Sequence, residues 1–445
     1  MSELIDMTPT TTARAVVVVP IERSPQRDVD ARTPEAQLGE AVSLAKAIDL
    51  TIVDAQLVNL SQIRPSTYVG QGKVDELAEL VEAEEVELFV FDCALAPTQQ
   101  RNLERALKAK VLDRTGLILE IFGERALTKE GRLQVDLAHL TFQKSRLVRS
   151  WTHLERQRGG VGFLGGPGET QIEADRRALL EKITRIERDL AKVQRTRQLQ
   201  RAGRRKANAP TIALVGYTNA GKSTLFNALT ESRVLAADQL FATLDPNLRA
   251  MKLPTGTTII LSDTVGFVSD LPTQLVAAFR ATLEEVVEAD LIVHVRDIAS
   301  EEAEAQAQDV LSVLRELGVS ENLPIIEAWN KVDRIDDERR SVLREIAARR
   351  EPSPTLLSAA TGEGLTDLLN AIADRLAKDF TRATVHLPAA DGKTYAWLHR
   401  TCEVLDATMD DDVFVLDIRA PEERLNQLNR MMGEGGYFEV QAPST

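Results

Sequence analysis

One octapeptide constrains this chain more than any other segment. Gly216-Tyr217-Thr218-Asn219-Ala220-Gly221-Lys222-Ser223 fits the spacing G-x-x-x-x-G-K-[ST]. The run Thr211-Ile212-Ala213-Leu214-Val215 before it reads as a buried strand, and residues 224–229, starting at Thr224, read as a helix. Strand, glycine loop and helix are the setting in which this motif cradles phosphates. Glycine lets backbone N–H groups turn toward phosphate oxygens without a clashing Cβ, and the helix N-terminus favours an anion. Lys222 is expected to meet the β- and γ-phosphates and to serve catalysis, and Ser223 to offer a hydroxyl to Mg²⁺.

Further motifs follow, each at the end of an apolar run. Residues 258–262 lead into Asp263-Thr264-Val265-Gly266. Asp263 is expected to hold Mg²⁺ through water, and Gly266 to bring its N–H against a γ-phosphate. Residues 323–329 lead into Asn330-Lys331-Val332-Asp333. A buried Asp333 carboxylate accepts from guanine N1–H and the 2-amino group, donors that adenine lacks. Asn330 assists, and Lys331 lays its stem on the base. Residues 354–357 lead into Ser358-Ala359-Ala360, whose backbone closes over a purine carbonyl. In Phe241-Ala242-Thr243-Leu244-Asp245-Pro246, Thr243 reads as a switch threonine that meets Mg²⁺ and the γ-phosphate only in the triphosphate state. This order of motifs resembles the translation-factor-like class of small GTP-binding domains. In many of them a glutamine after Asp-x-x-Gly orients the attacking water. Phe267 stands there, so slow hydrolysis that a partner accelerates is expected.

A chain of 445 residues holds two to four domains. No apolar stretch is long enough to span a membrane, and residues 1–12 carry no secretory signal and read as a short tail. Cys93 and Cys402, the only cysteines, sit in apolar runs read as strands, which excludes disulfide scaffolds and zinc sites and fits a reducing cytosol. A net charge of −14 argues against a generally basic nucleic-acid binder. Yet Arg176, Arg177, Lys182, Arg185, Arg188, Lys192, Arg195, Arg197, Arg201, Arg204, Arg205 and Lys206 cluster against only Glu181, Glu187 and Asp189. That face suits phosphates, although a solvated helix face would look similar.

Four units are expected after the tail. Residues 13–125 alternate strand and helix patterns, implying a parallel-sheet α/β domain. Residues 126–208 carry two long helical patterns joined by a glycine-rich loop at 159–168, a helical hairpin, with 203–210 as a basic linker. Residues 209–379 form the nucleotide-binding domain. Residues 380–445 read βαββαβ, the ferredoxin-like α+β order.

These segments resemble one family, the ribosome-associated GTPases called HflX, across nearly the whole chain. The likeness is carried by Tyr68-Val69-Gly70-Gln71-Gly72-Lys73, Asp113-Arg114-Thr115-Gly116-Leu117, Glu130-Gly131-Arg132-Leu133-Gln134-Val135, Gly166-Pro167-Gly168-Glu169-Thr170-Gln171, the Phe241 to Pro246 segment and Asp263-Thr264-Val265-Gly266-Phe267. The resemblance implies binding of GTP and GDP, contact with the large ribosomal subunit and its rRNA, and splitting or rescue of stalled ribosomes under stress, with hydrolysis stimulated by the ribosome. It also raises ATP at the N-terminal domain, where Gly70, Gly72 and Lys73 are candidates. A cytoplasmic monomer is expected, with peripheral membrane association as an option. Two departures stand out: Phe163-Leu164-Gly165 in the glycine loop, and Arg296 before Asp297. The alternative reading is an RNA-binding or ribosome-assembly GTPase that does not act on translating ribosomes.

Overall fold

Apolar runs of this kind close into sheets whose strand ends carry the motifs. The computed structural model describes residues 13–22, 32–157, 167–206, 209–231, 240–241, 243–269, 280–377, 381–410, 412–420, 422–432 and 437–440. The expected tail at 1–12, most of the glycine-rich loop with Phe163-Leu164-Gly165, and Ala242 lie outside the described residues.

The first sheet comprises β1 (Arg14–Glu22), β2 (Thr51–Leu60), β3 (Leu88–Phe91) and β4 (Lys110–Asp113), all parallel, in the order β2-β1-β3-β4. Helices α1 (Pro34–Lys46), α2 (Gln71–Glu84), α3 (Pro97–Leu107) and α4 (Arg114–Arg125) connect and follow these strands. Val16, Val17, Val18 and Val19 are all buried, as a strand covered on both faces requires. Two long helices come next, α5 (Lys129–Gln157) and α6 (Pro167–Lys206), which pack along one another. The expected linker at 203–210 is corrected: α6 runs on through Lys206. Its Arg and Lys residues are good helix formers, and a lone Gly203 costs only about 1 kcal/mol in a helix.

The second sheet has the order β10-β9-β8-β5-β7-β6. It is built from β5 (Thr211–Val215), α7 (Lys222–Thr230), β6 (Asn247–Lys252), β7 (Thr258–Asp263), α8 (Arg280–Val287), β8 (Leu291–Asp297), α9 (Ala303–Glu316), β9 (Ile325–Asn330), α10 (Asp337–Ala348), β10 (Thr355–Leu356) and α11 (Leu365–Ala377). Only β6 runs antiparallel, against β7. The third sheet, β12-β13-β11-β14, is antiparallel and has the expected βαββαβ order: β11 (Thr381–Pro388), α12 (Gly392–Thr401), β12 (Glu403–Asp410), β13 (Val413–Ala420), α13 (Glu422–Met431) and β14 (Tyr437–Val440). Trp397, Leu398, Leu425 and Leu428 pack its helices on Val385, Leu416 and Ile418. Neither cysteine lies within a strand: Cys93 lies two residues past the end of β3 and Cys402 sits between α12 and β12, both half-buried.

One core crosses from the first sheet's helices to the second. Leu117, Ile118, Ile121 and Phe122 of α4 belong to the same apolar cluster as Phe241, Leu244, Val265, Phe267, Leu283 and Val286. The N-terminal unit is thus packed on the segments that border the phosphate loop.

His294 sits inside β8, only 2% exposed. Burial, together with Arg296 and Lys222 and against Glu327, pushes its imidazole down to about 4. A folded value below the unfolded one means that the neutral ring supports the fold above the ordinary pKa, and that this support is lost as pH falls toward 4. His294→Asn removes that titration. Denaturant unfolding should then show a drop in stability between about pH 7 and pH 4 that is smaller by about 3 kcal/mol than in the parent.

Candidate functional site

The phosphate loop is shaped by two glycines that cannot be replaced. A Cβ on Gly216 would run into the carbonyl of Val295. Gly221 has φ +92°, and a Cβ there would strike Asn330 Nδ2. Asn330 donates from Nδ2 to Ala220 O at 2.8 Å and accepts from Ala359 N at 2.9 Å. One buried amide side chain therefore ties the loop to the end of β9 and to the segment after β10. Asn219, φ 60°, forms the exposed crest.

Lys222 opens α7 and is 6% exposed. Its ammonium donates to Gly216 O at 3.0 Å and to Tyr217 O at 2.8 Å, which folds the loop around it. Burial pushes its pKa down to about 8, Asp263 opposes the shift and Lys331 adds to it.

Three oxygen-bearing side chains converge beside it. Ser223 Oγ donates to Asp263 Oδ2 at 2.7 Å and lies 2.8 Å from Thr243 Oγ1, which donates to the same carboxylate oxygen at 2.9 Å. Asp263 is fully buried, and its Oδ1 has no hydrogen-bond partner among the described residues. Burial holds this carboxyl above the usual range, against the hydrogen bond from Ser223 and the charge of Lys222. Two hydroxyls and a carboxylate with a spare oxygen form a hard donor set, suited to Mg²⁺. Gly266 lies directly above: a Cβ there would be 2.7 Å from Thr218 Cγ2 and 3.2 Å from Lys222 Nζ.

Phe267 is sealed in the core, 0% exposed. Its backbone is locked to the loop, since Thr218 N donates to Phe267 O at 2.7 Å and Phe267 N to Gly216 O at 3.1 Å. The Thr218 amide is thereby engaged with protein, and the position that often orients water presents no polar group. At the base end, Lys331 is left-handed (φ 68°) and pairs with Asp297 at 2.7 Å. Ser358 is buried, with its Oγ accepting from Thr361 N at 3.2 Å, whereas Ala360 is exposed. Asp333 also departs from expectation. It lies in the short turn Val332–Arg334 and is exposed rather than buried.

Other expected contacts point elsewhere. Thr264 Oγ1 donates to Leu214 O at 2.6 Å, Val265 is buried in the core, and Phe241 packs edge-on to Phe122 at 4.9 Å. Thr224 is half-buried in the first turn of α7. Lys73, a candidate for ATP, is paired with Glu76 at 2.7 Å. Arg296 is buried in an ion cluster with Glu304 and Glu327, beside the Trp329 ring.

The Tyr217 side chain leaves the phosphate loop for an interdomain network that the sequence reading missed. Its hydroxyl donates to Glu40 of α1. Glu40 also accepts from Arg114 at 2.6 Å, from Arg32 at 2.7 Å and from Ser269 Oγ at 3.1 Å. Ser269, two residues past Phe267, donates its N–H to the Tyr217 hydroxyl at 2.9 Å. Burial alone would raise Glu40, but Arg114 and then Arg32 hold it below the usual carboxylate range. Arg114 lies in the Asp113 to Leu117 motif, and its partner 74 positions away leaves no trace in the sequence.

The arm helix α6 keeps Ile183 and Leu190 buried and exposes Arg176, Lys182, Arg185, Arg188, Lys192 and Arg195. Among the described residues no helix is long and apolar enough to cross a membrane.

Family models match the chain in series: GTP-binding GTPase N-terminal over residues 35–123, GTP-binding GTPase middle region over 125–204, 50S ribosome-binding GTPase over 211–331, and HflX C-terminal domain over 343–441. The chain is similar to GTPase HflX of Magnetococcus marinus, 48% identical with 95% of each chain covered. It is similar to GTPase HflX of Escherichia coli at 46% identity, covering 80% of this chain and 83% of that one. A GTP-binding protein of Sulfolobus solfataricus, solved in complex with GDP, is 24% identical, with 82% of this chain and 98% of that chain covered and a TM-score of 0.43.

Removing one partner from a buried, charged network leaves the others uncompensated. Glu40→Ala is expected to cost about 3 to 5 kcal/mol in denaturant unfolding, whereas Tyr217→Phe, which removes one hydrogen bond, costs about 1 to 2 kcal/mol.

Proposed function

This chain belongs to the HflX family of GTPases, and we propose that it is a GTP-hydrolysing switch on the large ribosomal subunit that splits or rescues stalled ribosomes under stress. The observation that carries the reading is the convergence of Ser223, Thr243 and Asp263 next to the buried Lys222. In this reading these three residues hold Mg²⁺, which when bound neutralises charge on the β- and γ-phosphates. The amides of the Gly216 to Thr224 loop, apart from that of Thr218, and the Lys222 ammonium hold the phosphates in line for attack by water. Gly266 offers its N–H to the γ-phosphate. Asn330 braces the loop, and Lys331 and Asp333 receive the guanine with Ser358, Ala359 and Ala360. Because Phe267 cannot orient water, the chain hydrolyses slowly alone, and the partner supplies or orders the missing group.

Loss of the γ-phosphate frees Thr243 and Gly266, and the partner is released. The division of labour follows the expected units. Residues 209–379 carry the switch, and 13–125 brace it. The hairpin at 126–208 takes its basic face to rRNA, supported by the exposed arginines and lysines of α6 on a chain of net charge −14. Residues 380–445 form a further contact module. The protein acts in the cytoplasm as a monomer.

Sucrose gradients with purified large subunits test the reading. The chain should sediment with the subunit when loaded with a non-hydrolysable GTP analogue and stay at the top with GDP. Asp333→Asn should weaken guanine-nucleotide binding about a hundredfold and abolish the nucleotide dependence. Absence from every ribosomal fraction would leave a GTPase that acts elsewhere. RNA binding unchanged in Asp333→Asn would leave an RNA-binding module.

A further inference from the structure

The threonine of the metal cluster sits on a short segment whose downstream anchor lies in another unit. Two residues after Thr243, the Asp245 carboxylate accepts from Leu127 N at 3.0 Å, from Thr128 N at 2.8 Å and from the Thr128 hydroxyl. Thr128 is the residue before α5, and its carbonyl accepts from Arg132 N at 3.0 Å, which puts it at the cap of the arm helix. Its Oγ1 in turn accepts from Gly131 N at 3.0 Å. Asp245 therefore completes the cap of a 29-residue helix from outside that helix.

A second observation is steric. A Cβ on Gly131 would collide with Asp245 Oδ1 and come within 3.2 Å of both Asp245 Cγ and Thr128 Oγ1. The first turn of the arm thus has the shape needed to admit this carboxylate. On the other side of Thr243, Phe241 packs on Phe122 and Leu244 is 5% exposed in the core shared with α4. Those apolar contacts hold the segment in place but do not fix its direction. The charge-assisted hydrogen bonds of Asp245 do fix it, because they are short and angle-dependent.

We propose that Asp245 is a positioning residue for GTP hydrolysis: by docking on the cap of α5 it holds Thr243 against Ser223 and Asp263, and it makes the set of the arm helix part of the metal site. A force that tilts the arm acts on the same carboxylate and reaches Thr243 through one intervening residue. The inference rests on the GTP-hydrolysing reading of the pocket and is independent of which macromolecule the arm meets.

The test uses the full-length protein with Asp245→Ala and, from the opposite side of the contact, Gly131→Ala. Three quantities are read: single-turnover GTP hydrolysis as a function of Mg²⁺, GDP affinity, and the melting temperature. In the proposed function Thr243 meets Mg²⁺ and the γ-phosphate only in the triphosphate state, so both variants should hydrolyse about tenfold more slowly and need about tenfold more Mg²⁺ for half-maximal rate. GDP affinity should stay within about twofold of the parent. Thr128→Ser keeps the hydroxyl and should retain the parent's rate and Mg²⁺ requirement. An unchanged rate and Mg²⁺ requirement in both variants would overturn the proposal. So would a parallel loss of GDP affinity and melting temperature, since that would make Asp245 a helix cap and nothing more. No guanine-nucleotide binding in the parent itself would instead overturn the reading of the pocket.

Discussion

Three separated segments bring their oxygens to a single point, and the proposed function depends on that meeting. Ser223 arrives on the first turn of α7, Asp263 at the end of β7, and Thr243 on a segment with no regular structure of its own. The first two are placed by the sheet, because β5 and β7 are neighbours with Leu214 in register with Asp263. The third is placed by the N-terminal unit, through Phe122, the shared core and the turn before α5. A nucleotide domain cut out alone would keep the first two and lose the support of the third.

The same unit reaches the other border of the pocket by charge. Glu40 gathers Arg32, Arg114, Ser269 and Tyr217 in a buried cluster, so it touches the phosphate loop and the chain just after Phe267 together. Such a cluster adds little net stability compared with an apolar contact of the same shape, but it tolerates only one arrangement. Apolar packing of α4 supplies adhesion, and the ionic cluster supplies register. The pocket is thereby tied to the position of the N-terminal sheet.

The elements legible in the sequence were those with continuous apolar runs and motifs at their ends. The strands β1, β5, β7 and β8 are buried on both faces over most of their length, so their signal is local. The strand β6 escaped because it is a half-exposed edge carrying Arg249 and Lys252, with no run to mark it. Motif chemistry brought Ser223, Thr243, Asp263, Lys222 and Asn330 onto one pocket. It did not foresee that Tyr217 would turn its ring away, that the Ala359 amide would be used by Asn330, or that Asp333 would be solvent-exposed. Those outcomes depend on partners far away in the chain: Tyr217 and Glu40 are 177 positions apart, and Ser269 and Glu40 are 229. Spacing rules read neighbours, and these contacts exist only after the sheets have packed.

In the proposed function, Ser223, Thr243 and Asp263 form a divalent-cation site that is completed by a guanosine triphosphate. Calorimetric titration of the purified chain with a non-hydrolysable GTP analogue and with GDP, each with Mg²⁺ or with chelator, tests it most directly. One guanine-nucleotide site is expected, whose affinity for the triphosphate depends strongly on Mg²⁺ and falls in Thr243→Ala, with GDP affinity unaffected by that substitution. Triphosphate binding that is indifferent to Mg²⁺ and to Thr243, or no uptake of guanine nucleotide, would contradict it.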